Sequence, residues 1–135
     1  MNNFIYIIPF RYFFSKTPGG RVTHAIGIIN GISKNYNKIK IISEDGILEF
    51  ENRIDKNVKI KIIKKTFFIF KVLLETIKSI RLPNTNVLIR KSPLFLLLLI
   101  PFLFIKNKSN HITVEVNGFG FDVRDIIFKK QVVTL

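Results

Sequence analysis

Phe4-Ile5-Tyr6-Ile7-Ile8-Pro9-Phe10, followed by Thr17-Pro18-Gly19-Gly20-Arg21-Val22-Thr23-His24, is the stretch whose reading decides the fold. A continuous apolar run leads into a loop that narrows to a Gly-Gly pair. Val22, Ala25, Ile26, Ile29 and Ile32 then recur at helical spacing. The order is strand, glycine loop, helix. An uninterrupted apolar strand fits a parallel sheet covered on both faces. The helix therefore starts at the carboxyl end of a strand, where its first N–H groups lack partners and carry partial positive charge. Glycine lets an anion approach that backbone closely.

Working outward, the same alternation continues. Lys38 to Ser43 reads as a second strand, and Glu44-Asp45-Gly46 as a turn. Val58 to Ile63 alternates Lys with Val or Ile, the period-2 pattern of a strand at a sheet edge. Thr66 is placed to cap a helix over 67–80, with Phe70, Leu73, Leu74, Ile77 and Ile80 as its apolar stripe. Pro83-Asn84-Thr85-Asn86 ends that helix, and Val87-Leu88-Ile89 forms the next strand, ending at Arg90. Ser92 and Pro93 occupy cap and first-turn positions of a helix reaching Ile105. Ile112 to Val116 is a further strand, and Asp122 to Lys130 starts one more helix. The fold class expected is α/β, a Rossmann-like, mostly parallel sheet with helices on both faces.

Composition narrows the chemistry. At 135 residues the chain is expected to form one domain. An apolar fraction of 47% with 14 Phe is incompatible with a disordered chain. Cysteine is absent, which excludes disulfides, thiolate catalysis and cysteine-ligated metals. With only His24 and His111 as histidines, no metal site is expected. The 22 Lys and Arg against 9 Asp and Glu leave a formal charge of +13. That charge suits nucleic acid, a membrane surface or phosphorylated small molecules, or reflects an Ile-, Lys- and Asn-rich composition with no partner behind it. Nucleic-acid readers interleave exposed aromatics with basic residues, whereas these phenylalanines sit on apolar runs, so no nucleic-acid partner is expected. The amino terminus lacks a basic leader, and the protein is expected in the cytoplasm. Leu94 to Ile100 resembles a membrane segment, but Lys91, Pro101 and Lys106 leave it short of the roughly 20 residues a span needs. A buried helix is the expectation for Pro93 to Ile105, with interfacial contact to anionic headgroups as the alternative.

In open α/β sheets, ligands bind at the carboxyl ends of the strands. Three segments are expected on that rim: Gly19-Gly20 with Arg21 and His24, then Arg90-Lys91-Ser92, then Glu115 to Gly118. Gly19, Gly20 and Arg21 are candidates for phosphate proximity, although a strand-to-helix turn also uses glycine for positive φ. His24, one turn beyond Gly20, is the best catalytic candidate and a hydrogen-bond partner for a sugar or diphosphate; a plain helix-face histidine is the alternative. Arg90 suits bidentate contact with a phosphate, or is a surface arginine. Glu115 and Asn117 suit sugar hydroxyls, or merely form the turn into the next segment. Lys59, Lys61, Lys64 and Lys65 read as a solvated edge that discourages strand pairing.

Taken in order, Pro18-Gly19-Gly20-Arg21-Val22-Thr23-His24-Ala25, Gly31-Ile32-Ser33-Lys34, Val87-Leu88-Ile89-Arg90 and Val114-Glu115-Val116-Asn117-Gly118 resemble the N-terminal domain of GT-B glycosyltransferases of the family 4 kind. The resemblance implies two Rossmann-like domains, with acceptor binding in the first and a UDP- or GDP-sugar held by the second as co-substrate. It implies no cofactor or metal, and a sugar or lipid-linked glycan acceptor. Residues 1–135 would then be an incomplete N-terminal half without the donor domain, inactive alone. Peripheral contact with the inner face of the cell membrane also follows from the resemblance. The alternative is a non-catalytic basic α/β module that binds an anionic membrane or a protein partner.

Overall fold

The computed structural model describes residues 3–14 and 20–115, together with the backbone of 132–134. Strand β1 spans Asn3–Ile7, and helix α1, Gly20–Ser33, crosses to β2, Lys38–Ser43. A 3₁₀ helix, Asp45–Arg53, leads to β3, Val58–Ile62. Helix α2, Phe68–Arg81, returns to β4, Thr85–Arg90. Helix α3, Pro93–Leu99, continues as a second 3₁₀ helix, Ile100–Ile105, before β5, His111–Glu115. A short strand β6, Val132–Thr134, completes the sheet.

The strand order is β3-β2-β1-β4-β5-β6. Strands β1 to β5 are parallel, and β6 runs antiparallel to β5. The protein is thus a Rossmann-like α/β structure, as the alternating sequence pattern requires. Each parallel pair needs a crossover, so all five parallel strands point their carboxyl ends at one rim. The order turns at β1, which has β2 on one side and β4 on the other.

Two apolar layers cover the sheet. On one face Tyr6, Ile8, Ile41 and Leu88 pack with Val22, Ala25, Ile26 and Ile29 of α1 and with Ile47 and Ile54 around the first 3₁₀ helix. On the other face Ile5, Ile7, Val87 and Ile89 pack with Val72, Leu73 and Ile80 of α2 and with Phe95 and Leu99 of α3. The alternation of strand side chains between these faces explains why Phe4 to Ile8 is apolar throughout.

Several elements differ locally from the sequence expectation. Glu44-Asp45-Gly46 is not a simple turn. The buried Glu44 carboxylate accepts the N–H of Gly46 and caps the 3₁₀ helix, and it also accepts the N–H of Phe14 at 3.2 Å. Thr66 does not cap α2. Phe67 takes the cap position with φ 52°, in the left-handed region, and makes no side-chain cap bond. The buried stripe of α2 is Phe68, Val72, Leu73, Thr76, Ser79 and Ile80, while Phe70 and Leu74 are exposed. Thr76 and Ser79 can lie against the sheet because their hydroxyls donate to the carbonyls of Val72 and Glu75, both at 2.8 Å.

Ser92 does cap α3, accepting the N–H of Phe95, with Pro93 at the first turn. The segment is not a buried helix, however. Only Phe95 and Leu99 of α3 are buried, and the 3₁₀ stretch has no buried residue. Pro101 has no N–H to donate to the carbonyl one turn back, and its ring crowds that turn, so the α-helix gives way to 3₁₀ geometry at Ile100. Among the described residues no helix is long and apolar enough to cross a membrane. The helix expected over Asp122 to Lys130 lies outside the described residues.

Phe95 is fully enclosed, whereas Phe104 is 84% exposed. Phe95→Ala is expected to lower stability by about 3–5 kcal/mol. Phe104→Ala should change it by less than about 0.5 kcal/mol. Urea unfolding followed by far-ultraviolet circular dichroism measures both.

Candidate functional site at the strand carboxyl ends

The parallel register sets Arg90 opposite Glu115 at the ends of β4 and β5. Neighbours in register share a face, so both side chains project to the α1 side, two residues beyond Leu88 and Thr113. Arg90 Nη1 donates to Glu115 Oε1 at 2.6 Å. Tyr6 of β1 donates its hydroxyl to Glu115 Oε2 at 2.7 Å, and Arg90 Nη1 donates to the Tyr6 hydroxyl at 3.3 Å. Arg90 and Glu115 are 6% and 2% exposed. Together these groups form a closed buried triangle spanning β1, β4 and β5.

Phe13 forms one wall of the triangle. The Arg90 guanidinium carbon lies 4.6 Å from its ring centroid, and that of Arg21 lies 5.2 Å away. Both distances are within cation–π range. The turn carrying Phe13 is tied down through Phe14, whose N–H is held by Glu44 at the end of β2. The rim thus draws on β1, β2, β4 and β5 together.

His24 lies over the triangle on the first turns of α1, with its Nε2 3.9 Å from Glu115 Oε1. Its side chain is 45% exposed while Glu115 is buried, so His24 is the point where the cluster reaches solvent. Gly20 begins α1; a Cβ there would meet no described atom within 4 Å, and its φ is not in the left-handed region. Among the described residues, therefore, neither backbone conformation nor close packing demands glycine at this position. Arg21 is exposed beside it.

The rim brings together His24, Arg90 and Glu115, with Gly20 and Arg21 adjacent. Gly19 and Asn117 lie outside the described residues. Arg90 is not a surface arginine: it is buried, and its Nη1 is engaged by Glu115 and Tyr6. Tyr6 and Phe13 were missed in the sequence. Tyr6 carries the one hydroxyl in the run 4–8, and a polar tip on a doubly buried strand requires a partner. Phe13 gave no signal, since its role depends on where Arg90 comes to lie.

A scan against protein-family models, a search of curated proteins and a search of solved structures each return no match. The arrangement must be interpreted from its own chemistry. The site is polar, holds two arginines and lies where the connections that follow the adjacent strands β1 and β4 leave for opposite faces of the sheet, the crevice in which α/β sheets bind ligands. Among the described residues, no group of three or more His, Asp or Glu could hold a metal ion.

Burial, and then the nearby Glu115 charge, push the Tyr6 phenol well above its ordinary value. The folded protein therefore holds this proton more tightly than the unfolded chain. The resulting stability is fully present below about pH 10 and falls as pH rises beyond it. Tyr6→Phe is expected to flatten that alkaline loss in urea unfolding measured across this range, at a cost near neutrality of about 1.5–3 kcal/mol. Glu115→Ala, which strands a buried arginine, should cost about 3–5 kcal/mol in the same assay.

Proposed function

We propose that this protein is the acceptor-side domain of a nucleotide-sugar-dependent glycosyltransferase, of the type that builds bacterial surface polysaccharide. The observation that carries the reading is the Tyr6–Arg90–Glu115 triangle under His24, at the carboxyl ends of β1, β4 and β5 in a Rossmann-like sheet. Transfer of a sugar to a hydroxyl needs a positioned acceptor and positive potential for the departing diphosphate. In this reading His24 hydrogen-bonds an acceptor hydroxyl or the diphosphate, and Glu115 sets the field around its imidazole. Arg21 and the amino terminus of α1 at Gly20 supply positive potential toward the solvent side. Arg90 holds Glu115 in place more than it contacts ligand. The ligands are a sugar or lipid-linked glycan acceptor and a UDP- or GDP-sugar, with the protein in the cytoplasm and peripheral at the inner membrane face.

Saturation-transfer difference NMR with methyl and p-nitrophenyl hexosides, and with UDP-glucose and GDP-mannose, tests the reading. At least one hexoside is expected to bind, and His24→Ala should weaken it about ten-fold or more, or by about 1.4 kcal/mol. His24 is half exposed, so the variant should unfold with the parent. Failure of every sugar to bind the folded protein at millimolar concentration, or binding indifferent to His24→Ala, overturns the reading.

A further inference from the structure

Pro93 to Ile105 contains no charged or polar side chain over its whole length, between Lys91 and Lys106. A helix packed against a sheet needs only one apolar face. This segment meets that need with Phe95 and Leu99. Its opposite side presents Leu94, Leu97, Ile100 and Phe104 to solvent, with Leu97 66% exposed. Helix α2 packs beside it in the same layer. That helix and its cap residue add Phe70, Leu74 and Phe67, of which Phe67 is 73% exposed. Large apolar side chains concentrated on one side of a monomer mark an interaction surface.

The charges around this surface indicate what covers it. Between the β3 edge and α2 lies a shallow hollow lined by Lys61, Lys64, Lys71 and Lys78 around Leu74. One carboxylate, Glu75, faces it and pairs with Lys78 at 3.4 Å and Lys40 at 3.8 Å. Near the start of α2, Arg11 and Lys65 line a second hollow with Phe67 and Phe70. Exposed apolar side chains flanked by lysines match the interface of an anionic bilayer, with apolar groups at the acyl boundary and cations at the phosphates. A second copy is a poorer fit. A two-fold contact would bring two copies of this lysine-flanked surface together, between two chains each carrying +13.

We infer that the outer face of α2 and of the α3–3₁₀ segment is a docking surface for an anionic phospholipid bilayer. It inserts Leu97, Ile100, Phe104 and Phe70 to the depth of the headgroup boundary, with the α2 lysines on lipid phosphates. The inference gives the peripheral placement proposed above a specific surface, and it does not need the sugar-transfer reading. A protein that docks on vesicles yet binds no sugar would retain this inference and lose the other.

The chain contains no tryptophan, so Leu97→Trp or Phe104→Trp provides a single fluorescent reporter on the surface itself. Vesicles of phosphatidylcholine, with and without phosphatidylglycerol, are the probe. Co-sedimentation with the phosphatidylglycerol vesicles is expected, together with a blue shift and quenching by brominated acyl chains. The exposed triple variant Leu97→Ser/Ile100→Ser/Phe104→Ser should remain folded and lose about 100-fold in partitioning. Lys64→Glu/Lys71→Glu/Lys78→Glu should lose binding to the anionic vesicles about ten-fold or more at low salt. Three results overturn the inference: no binding to anionic vesicles at low salt; binding with an unquenched tryptophan and an unaffected serine variant; or a parent dimer that the serine variant converts to monomer without vesicle binding.

Discussion

The buried contact between Arg90 and Glu115 is the constraint around which the rim is organised. Two opposite charges at the ends of adjacent parallel strands are taken almost completely from water, and neither can be left alone there. Their pairing aligns the ends of β4 and β5 beyond the last apolar residues. The N–H of Lys91 donates to the Glu115 carbonyl at 2.9 Å and continues the same ladder. Tyr6 extends the constraint to β1, and Phe13 extends it to the loop that follows β1. Four separate parts of the chain are thus fixed relative to one another by groups that would be costly to bury singly.

His24 contrasts with this rigid base. It approaches the Glu115 carboxylate from the solvent side without completing a hydrogen bond, at 3.9 Å. Beneath it the Tyr6 hydroxyl, Arg90 Nη1 and both Glu115 carboxylate oxygens are hydrogen-bonded to one another. Such a site is preorganised in its lower layer and open to exchange in its upper one, the arrangement that lets a ligand be recognised without the protein reordering.

Much of this was legible in the sequence, because periodicity reports burial. The doubly buried strand Phe4 to Ile8, the lysine-alternating edge at Val58 to Ile62 and the Ser92-Pro93 helix start each follow from local rules. The placement of Arg90 and Glu115 on one rim followed from the βα alternation. Their direct pairing did not, since it depends on the register between β4 and β5. The stripe of α2 differs from the apolar periodicity because two hydroxyl residues take part in it. Thr76 and Ser79 satisfy themselves on the helix backbone and pack as small residues, which turns Phe70 and Leu74 outward. Pro93 to Ile105 departs from the rule that an apolar segment is a buried one, since only Phe95 and Leu99 of it are buried.

The left-handed backbone of Phe67 has a consequence for how stability and surface are balanced. Only glycine occupies that region freely, and another residue there carries a steric cost of about 1–2 kcal/mol. The phenyl ring recovers little of it by packing, because most of the ring faces water. Glycine at 67 would therefore make a tighter fold and remove one large apolar group from the exterior. The thermodynamically optimal sequence for this turn and the sequence best suited to an apolar surface are different sequences. Selection for thermostability alone would erode that surface from its first residue.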